Sequence, residues 1–143
     1  PKSKNGDNKR KGFRKSNYRK SNKGGIIMAS LNMQGSYDLT NEEIDRRITK
    51  TSPGNYALGR VGNDTFYVHY VGRSDTDLND RLKDWVGSYK RFKFSYATSP
   101  KAAFEKECTN YHDFGKSEKL DNEIHPQRPD GTNWKCPVCN ILD

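Results

Sequence analysis

Apolar positions recur along this chain with two periods, one helical and one extended. In "TNEEIDRRI", Ile44 and Ile48 fall on one helical face, and Thr40 with Glu43 three residues later forms a capping box. Pro53 and Gly54 in "TSPG" end that pattern, because neither residue readily continues a helix. Residues 55–61 and 65–71 are rich in Tyr, Phe and Val and flank "GND", which predicts a β-hairpin. "DTDLNDRLKDWV" returns to helical spacing, with Leu78, Leu82 and Trp85 or Val86 on one side and Asp75 or Thr76 as the cap. "RFKFSYA" alternates Phe92, Phe94 and Tyr96 against Lys93 and Ser95, the pattern of a half-buried strand. "SPKAAFEKECTNYHDFG" carries the clearest helix signals: Ser99 to cap it, Pro100 at its first position and Gly115 to stop it. Its apolar stripe is Phe104, Cys108 and Tyr111. "IIMASLNMQGSYDL" yields no regular element, and Pro and Gly at short intervals make residues 115–143 irregular. The order helix, hairpin, helix, strand, helix predicts an α+β fold, a small three-stranded antiparallel sheet flanked by helices.

The length of the hairpin loop decides which residues meet. A three-residue loop at Gly62-Asn63-Asp64 pairs Val61 with Thr65 and sets Tyr56 directly opposite Tyr70 on one face. A two-residue loop slips the register and separates the two phenols.

Composition changes the picture at the N-terminus. Only 31% of residues are hydrophobic, too few for the whole chain to bury a core. Residues 1–25 hold ten Lys and Arg against Asp7 alone, so +9 of charge lies there and the remaining residues, at −1, are nearly neutral. Residues 1–36 are therefore expected to be a disordered basic tail and residues 37–143 the folded domain. Lys9, Arg10, Lys11, Arg14, Lys15, Arg19 and Lys20 are its candidate nucleic-acid contacts. No secretory segment and no run of about 18 apolar residues is present, which points away from a membrane. Three cysteines are too few and odd in number for a disulfide framework, so a reducing compartment is expected, the cytoplasm or a eukaryotic nucleus.

Gly54-Asn55-Tyr56, Tyr70-Val71-Gly72, Arg81 on the next helix and Glu107 on a later one form an ordered set. In that set residues 53–114 resemble the GIY-YIG nucleases. The resemblance implies metal-dependent hydrolysis of DNA phosphodiesters; a small domain with no separate recognition module makes flexible or single-stranded DNA the expected substrate, with RNA as a further candidate partner. The resemblance also implies Tyr56 as general base, Tyr70 supporting water or substrate, Arg81 stabilising the pentavalent phosphorus, and Glu107 binding Mg²⁺ or Mn²⁺. The family's asparagine near the domain end corresponds to Asn133, with Asn122 and Asn110 behind it. Arg73, directly after the second triplet, would contact a phosphate. Where some relatives carry His or Tyr one turn after the arginine, this chain has Trp85, and Tyr89 or His69 is the candidate substitute.

The residue types suit that chemistry on their own terms. A phenol near a cation can take a proton, an arginine can hold two phosphate oxygens, and one carboxylate with waters is a usual Mg²⁺ site. The competing reading is a non-catalytic nucleic-acid-binding module with the same fold.

"CPVC" supplies Cys136 and Cys139, two thiols of a tetrahedral site that needs four ligands. Cys108 and His112, at i and i+4 on the long helix, would complete a Cys₃His structural zinc. His125 in "EIHPQRP" competes as the fourth ligand, and Cys108 is equally readable as a core cysteine.

Overall fold

The computed structural model describes residues 30–143, so the tail cations Lys9 to Lys20 lie outside the described residues. The elements in order are β1 (Gln34–Asp38), α1 (Asn41–Arg47), β2 (Gly54–Gly62), β3 (Thr65–Ser74), α2 (Leu78–Lys83), β4 (Arg91–Tyr96), α3 (Pro100–Asp113) and α4 (Lys116–Lys119). The strands form one antiparallel sheet of four, in the order β1-β4-β2-β3. The fold is α+β as expected, but the sheet has a fourth strand. β1 escapes the pattern reading because it lies at the sheet edge, alternates poorly in burial and pairs through its backbone with β4. It begins inside the stretch assigned to the tail, and Leu31 before it is already buried in the core.

The caps behave largely as read. Thr40 Oγ1 accepts from the Glu43 amide at 3.1 Å, while the Glu43 carboxylate turns to Arg46 and Arg47 instead of closing the box. Ser99 Oγ accepts from the Ala102 amide at 3.0 Å and starts α3. α2 is capped by Asp77, not by Asp75 or Thr76: the Ser74 hydroxyl accepts the Thr76 and Asp77 amides and delays the helix to Leu78. No helix among the described residues is long and apolar enough to cross a membrane.

The sheet carries a core on each face. Tyr56, Leu58, Phe92 and Phe94 pack with Ile44, Ile48, Leu78, Leu82 and Trp85 on one side. Ala57, Val68 and Val71 pack with Tyr111, Phe114 and Leu120 on the other. α1 and α2 thus cover one face and α3 the other, with β3 as the edge strand between them.

The hairpin does not have the three-residue loop that would oppose the tyrosines. Asn63 and Asp64, at φ 50° and 63°, are both left-handed and form a two-residue loop that pairs Gly62 with Thr65. That geometry is favoured because its twist matches the flanking strands, and Asn and Asp tolerate it. Continued regularly, this register would put Tyr56 opposite Val71 and leave Tyr70 on the other face. A β-bulge intervenes: Gly59 pairs with Val68 while Leu58 pairs with Tyr70, so His69 is the extra residue. Beyond the bulge Tyr56 lies opposite Gly72, and Tyr56 and Tyr70 return to one face as diagonal neighbours.

Two glycines make this arrangement possible. A Cβ at Gly59 would overlap the Tyr67 carbonyl at the bulge, and one at Gly72 would overlap the Tyr56 ring. Gly72 is the gap into which the Tyr56 phenol fits. Gly72→Ala is expected to cost about 1–3 kcal/mol through overpacking, measured as a lower urea midpoint with an unchanged slope.

Candidate functional site

At the β3 edge, side chains from both faces of the sheet close around a cavity of about 190 Å³ lined by Tyr56, Tyr70, Gly72, Arg73, Asp75, Arg81 and Glu107. Four of these are the tyrosines, arginine and glutamate that the sequence singles out, brought together from β2, β3, α2 and α3. The cavity is smaller than the roughly 300–1,000 Å³ of a small-molecule site, a size suited to one anionic group of a larger ligand.

Each side chain is placed by identifiable contacts. Tyr56 is buried, and its Oη accepts a hydrogen bond from Trp85 Nε1 at 3.0 Å. Tyr70 stacks obliquely on the same indole, ring centroids 4.6 Å apart. Trp85 therefore aligns both phenols, whereas Tyr89 and His69 do not line the cavity. The Tyr89 hydroxyl donates to Asp121 Oδ2 at 2.7 Å, and the His69 carbonyl accepts from the Asp121 amide at 2.7 Å. Asn55, the middle residue of the first triplet, donates from Nδ2 to the Ala103 carbonyl at 2.9 Å. That bond ties β2 to α3 one turn before Glu107.

Arg73 lines the cavity with its guanidinium already bonded within the protein. Its Nη1 donates to Glu107 Oε1 at 2.6 Å, its Nε to Asp75 at 2.8 Å and its Nη2 to the Gln127 carbonyl at 3.1 Å. The guanidinium also lies 5.2 Å from the centre of the Phe104 ring. Arg73 is thus engaged in holding the carboxylate. Arg81, by contrast, makes no side-chain hydrogen bond or ion pair among the described residues, so its donors face the cavity uncommitted. Its charge acts on Tyr56 and Tyr70, favouring the phenolate form of each.

Burial dominates the titration of the site. It pushes Tyr56 and Tyr70 well above the ordinary phenol range, and the Glu107 charge adds to the shift while Arg81 opposes it. The Trp85 N–H also opposes it at Tyr56. Burial likewise raises Glu107 above the ordinary carboxylate range, against the pull of Arg73.

The asparagine expected at the site is not there. Asn133 is exposed on the C-terminal segment and does not line the cavity. Asn122 is buried and binds the backbone of Val71 from both amide atoms, Nδ2 to the carbonyl at 2.8 Å and the Val71 amide to Oδ1 at 3.0 Å. It satisfies the edge strand as a neighbouring strand would, between Tyr70 and Gly72. Asn110 is buried on α3 and outside the cavity lining.

A second cluster lies beyond the other end of α3. His112, His125, Cys136 and Cys139 bring one ligand atom each within 4.8 Å of one another, a set that could hold a metal such as zinc. His125, the competing ligand, replaces Cys108. Cys108 is fully buried against Phe104 and Cys136, and burial drives its thiol strongly toward the protonated form. Sharing a helical face with His112 is not sufficient for ligation, because Cys108 lies deeper, in the apolar contact between α3 and the C-terminal segment.

Glu107 with a raised folded-state pKa binds its proton more tightly folded than unfolded, so its contribution to stability falls as pH rises through the folded value. Arg73→Ala removes the opposing charge and strands the carboxylate. It is expected to destabilise the chain by about 3–5 kcal/mol near neutral pH. The deficit should shrink as pH is lowered toward about 5, measured by urea unfolding at both values. Comparison with known proteins adds no name to this arrangement: no family model, no curated protein and no solved structure matches the chain.

Proposed function

We propose that this chain is a metal-dependent endonuclease of the GIY-YIG type that hydrolyses DNA phosphodiesters. The observation that carries the reading is the single small polar cavity uniting Tyr56, Tyr70, Glu107 and an uncommitted Arg81. Arg81 would bind the scissile phosphate and hold the charge that grows on it during in-line attack. The attacking water forms its bond to phosphorus as the ester oxygen leaves, and its proton passes to Tyr56 in the phenolate form. Tyr70, beside it on the same indole, holds the water or a phosphate oxygen. Glu107 and Asp75 are hard oxygen donors of the kind Mg²⁺ or Mn²⁺ takes. When bound, such an ion would supply positive charge to the phosphate and its leaving oxygen. The basic residues Lys9 to Lys20 would raise encounter with nucleic acid in a salt-dependent way. We read the His/Cys cluster as a structural zinc site.

One observation favours a non-catalytic binding module instead: Glu107 Oε1 is already bonded to Arg73. A cleavage time course on single-stranded, duplex and branched DNA separates the two, run with Mg²⁺, with Mn²⁺ and with EDTA. Ion-dependent cleavage is expected, lost in Glu107→Ala and reduced about 10²–10³-fold in Arg81→Ala. Salt-sensitive binding with no cleavage in any ion would leave the binding module.

The raised phenols give a pH signature. Only a small fraction of Tyr56 is phenolate near neutral pH, so turnover should rise about tenfold per pH unit into the alkaline range. Trp85→Phe removes the N–H that favours phenolate and should displace this profile to higher pH. A uniform loss at every pH would assign Trp85 to packing alone.

A further inference from the structure

We infer that zinc in the His/Cys cluster positions the Glu107 carboxylate of the proposed active site, through Gln127 and Arg73. The inference rests on the reading of Glu107 as a functional carboxylate, but the contacts behind it stand without that reading.

The cluster is built for a metal beyond the proximity of its four side chains. His125 Nδ1 lies 2.8 Å from the Pro126 carbonyl and donates to it in the tautomer that leaves Nε2 a lone pair. That Nε2 is 3.5 Å from Cys139 Sγ, close to the ligand spacing of about 3.3–3.8 Å that tetrahedral Zn–N and Zn–S bonds require. Cys136 Sγ accepts the backbone amides of Val138 and Cys139 at 3.3 and 3.4 Å, which fixes the sulfur in place. His112 Nε2 is buried with no hydrogen-bond partner among the described residues, and the two imidazoles meet at 5.3 Å. A buried lone pair or N–H left unmatched is costly, and a metal on the same atom removes the cost. Binding would release the protons of two thiols and leave both histidines neutral.

The position of this cluster in the chain gives it a second consequence. After α4 ends at Lys119, residues 120–143 contain no helix or strand, so no backbone ladder fixes them. Yet this segment supplies the Gln127 carbonyl that receives Arg73 Nη2 at 3.1 Å, two residues from the ligand His125. The other histidine ligand, His112, stands on α3 five residues after Glu107. A metal joining His112 to His125 therefore ties the helix that carries the carboxylate to the loop that restrains its arginine. Two further contacts close the loop on the same place. Arg128 Nη1 donates to the Trp134 and Leu142 carbonyls at 2.9 and 3.0 Å. The Trp134 ring packs 5.8 Å from Phe104, over which the Arg73 guanidinium lies. Without the metal, the loop around Gln127 keeps its side-chain contacts but loses the metal cross-link to α3, and the Gln127–Arg73 bond is expected to open more often.

The test uses the full chain and two readouts that need no DNA. Metal content by mass spectrometry and the visible spectrum after cobalt substitution report the site. Hydrogen exchange of the Arg73 Nη–H groups, one of which meets the Gln127 carbonyl, is followed by NMR and reports the arginine. About one zinc per chain is expected, retained in Cys108→Ala and lost in Cys139→Ala. Loss of zinc should speed Arg73 Nη–H exchange by about tenfold or more while β2–β4 amides stay protected. If Cys139→Ala loses protection throughout, Cys139→His, which restores a ligand, decides: zinc bound with Arg73 protected supports the inference, and zinc bound with Arg73 exchanging freely overturns it. A chain that takes up no zinc, or one whose Arg73 exchange ignores zinc removal, also overturns it. Absence of DNA cleavage with both readouts intact would overturn the nuclease reading and leave the metal's effect on Arg73 standing.

Discussion

The extra residue in β3, His69, sets the geometry on which the rest of the cavity depends. A two-residue loop at Asn63-Asp64 alone would place Tyr56 and Tyr70 on opposite faces of the sheet. One inserted residue changes the parity of β3 and returns both phenols to the face covered by α2. It also brings Gly72, rather than a side chain, opposite Tyr56. The mirrored triplets therefore do not form a facing pair. One triplet provides the ring and the other provides the space it occupies, with Val71 between Tyr70 and Gly72 held by Asn122. At the bulge only glycine at position 59 leaves room for the Tyr67 carbonyl.

The cavity places charge where burial resists it. Two phenols and a carboxylate are pushed toward their neutral forms, and two arginines pull in the other direction. The arginines divide that work. Arg73 is bonded to Glu107, Asp75 and a backbone carbonyl, so it orients the carboxylate. Arg81 keeps its donors for whatever anion enters. Leaving the buried Glu107 unpaired would cost several kcal/mol of stability.

The C-terminal segment follows a different principle from the sheet. It is held by side chains instead of a backbone ladder: Arg128 to two carbonyls, Trp134 on Phe104, and the convergent His and Cys ligands. Such a segment has little cooperative backbone pairing of its own, which is where a metal cross-link contributes most to order. Its proximity to Arg73 links that order to the cavity.

Much of this was readable along the chain because it is local. Helix starts at Thr40 and Ser99, the β4 alternation and the apolar faces of α1 and α3 each depend on residues within a turn or two. The ordered triplets with Arg81 and Glu107 also pointed to residues that do share one cavity. The readings that failed depend on contacts across the fold. β1 exists because β4 offers it an edge, the tyrosine geometry follows from a bulge with no sequence signature, and Asn133 stands outside a cavity whose edge Asn122 satisfies. His125 rather than Cys108 joins the cluster because the chain doubles back over the end of α3. Periodicity and capping are properties of neighbouring residues. Which distant carbonyl or imidazole completes a polar group's bonding is decided only when the burial of that group makes an unfilled bond expensive.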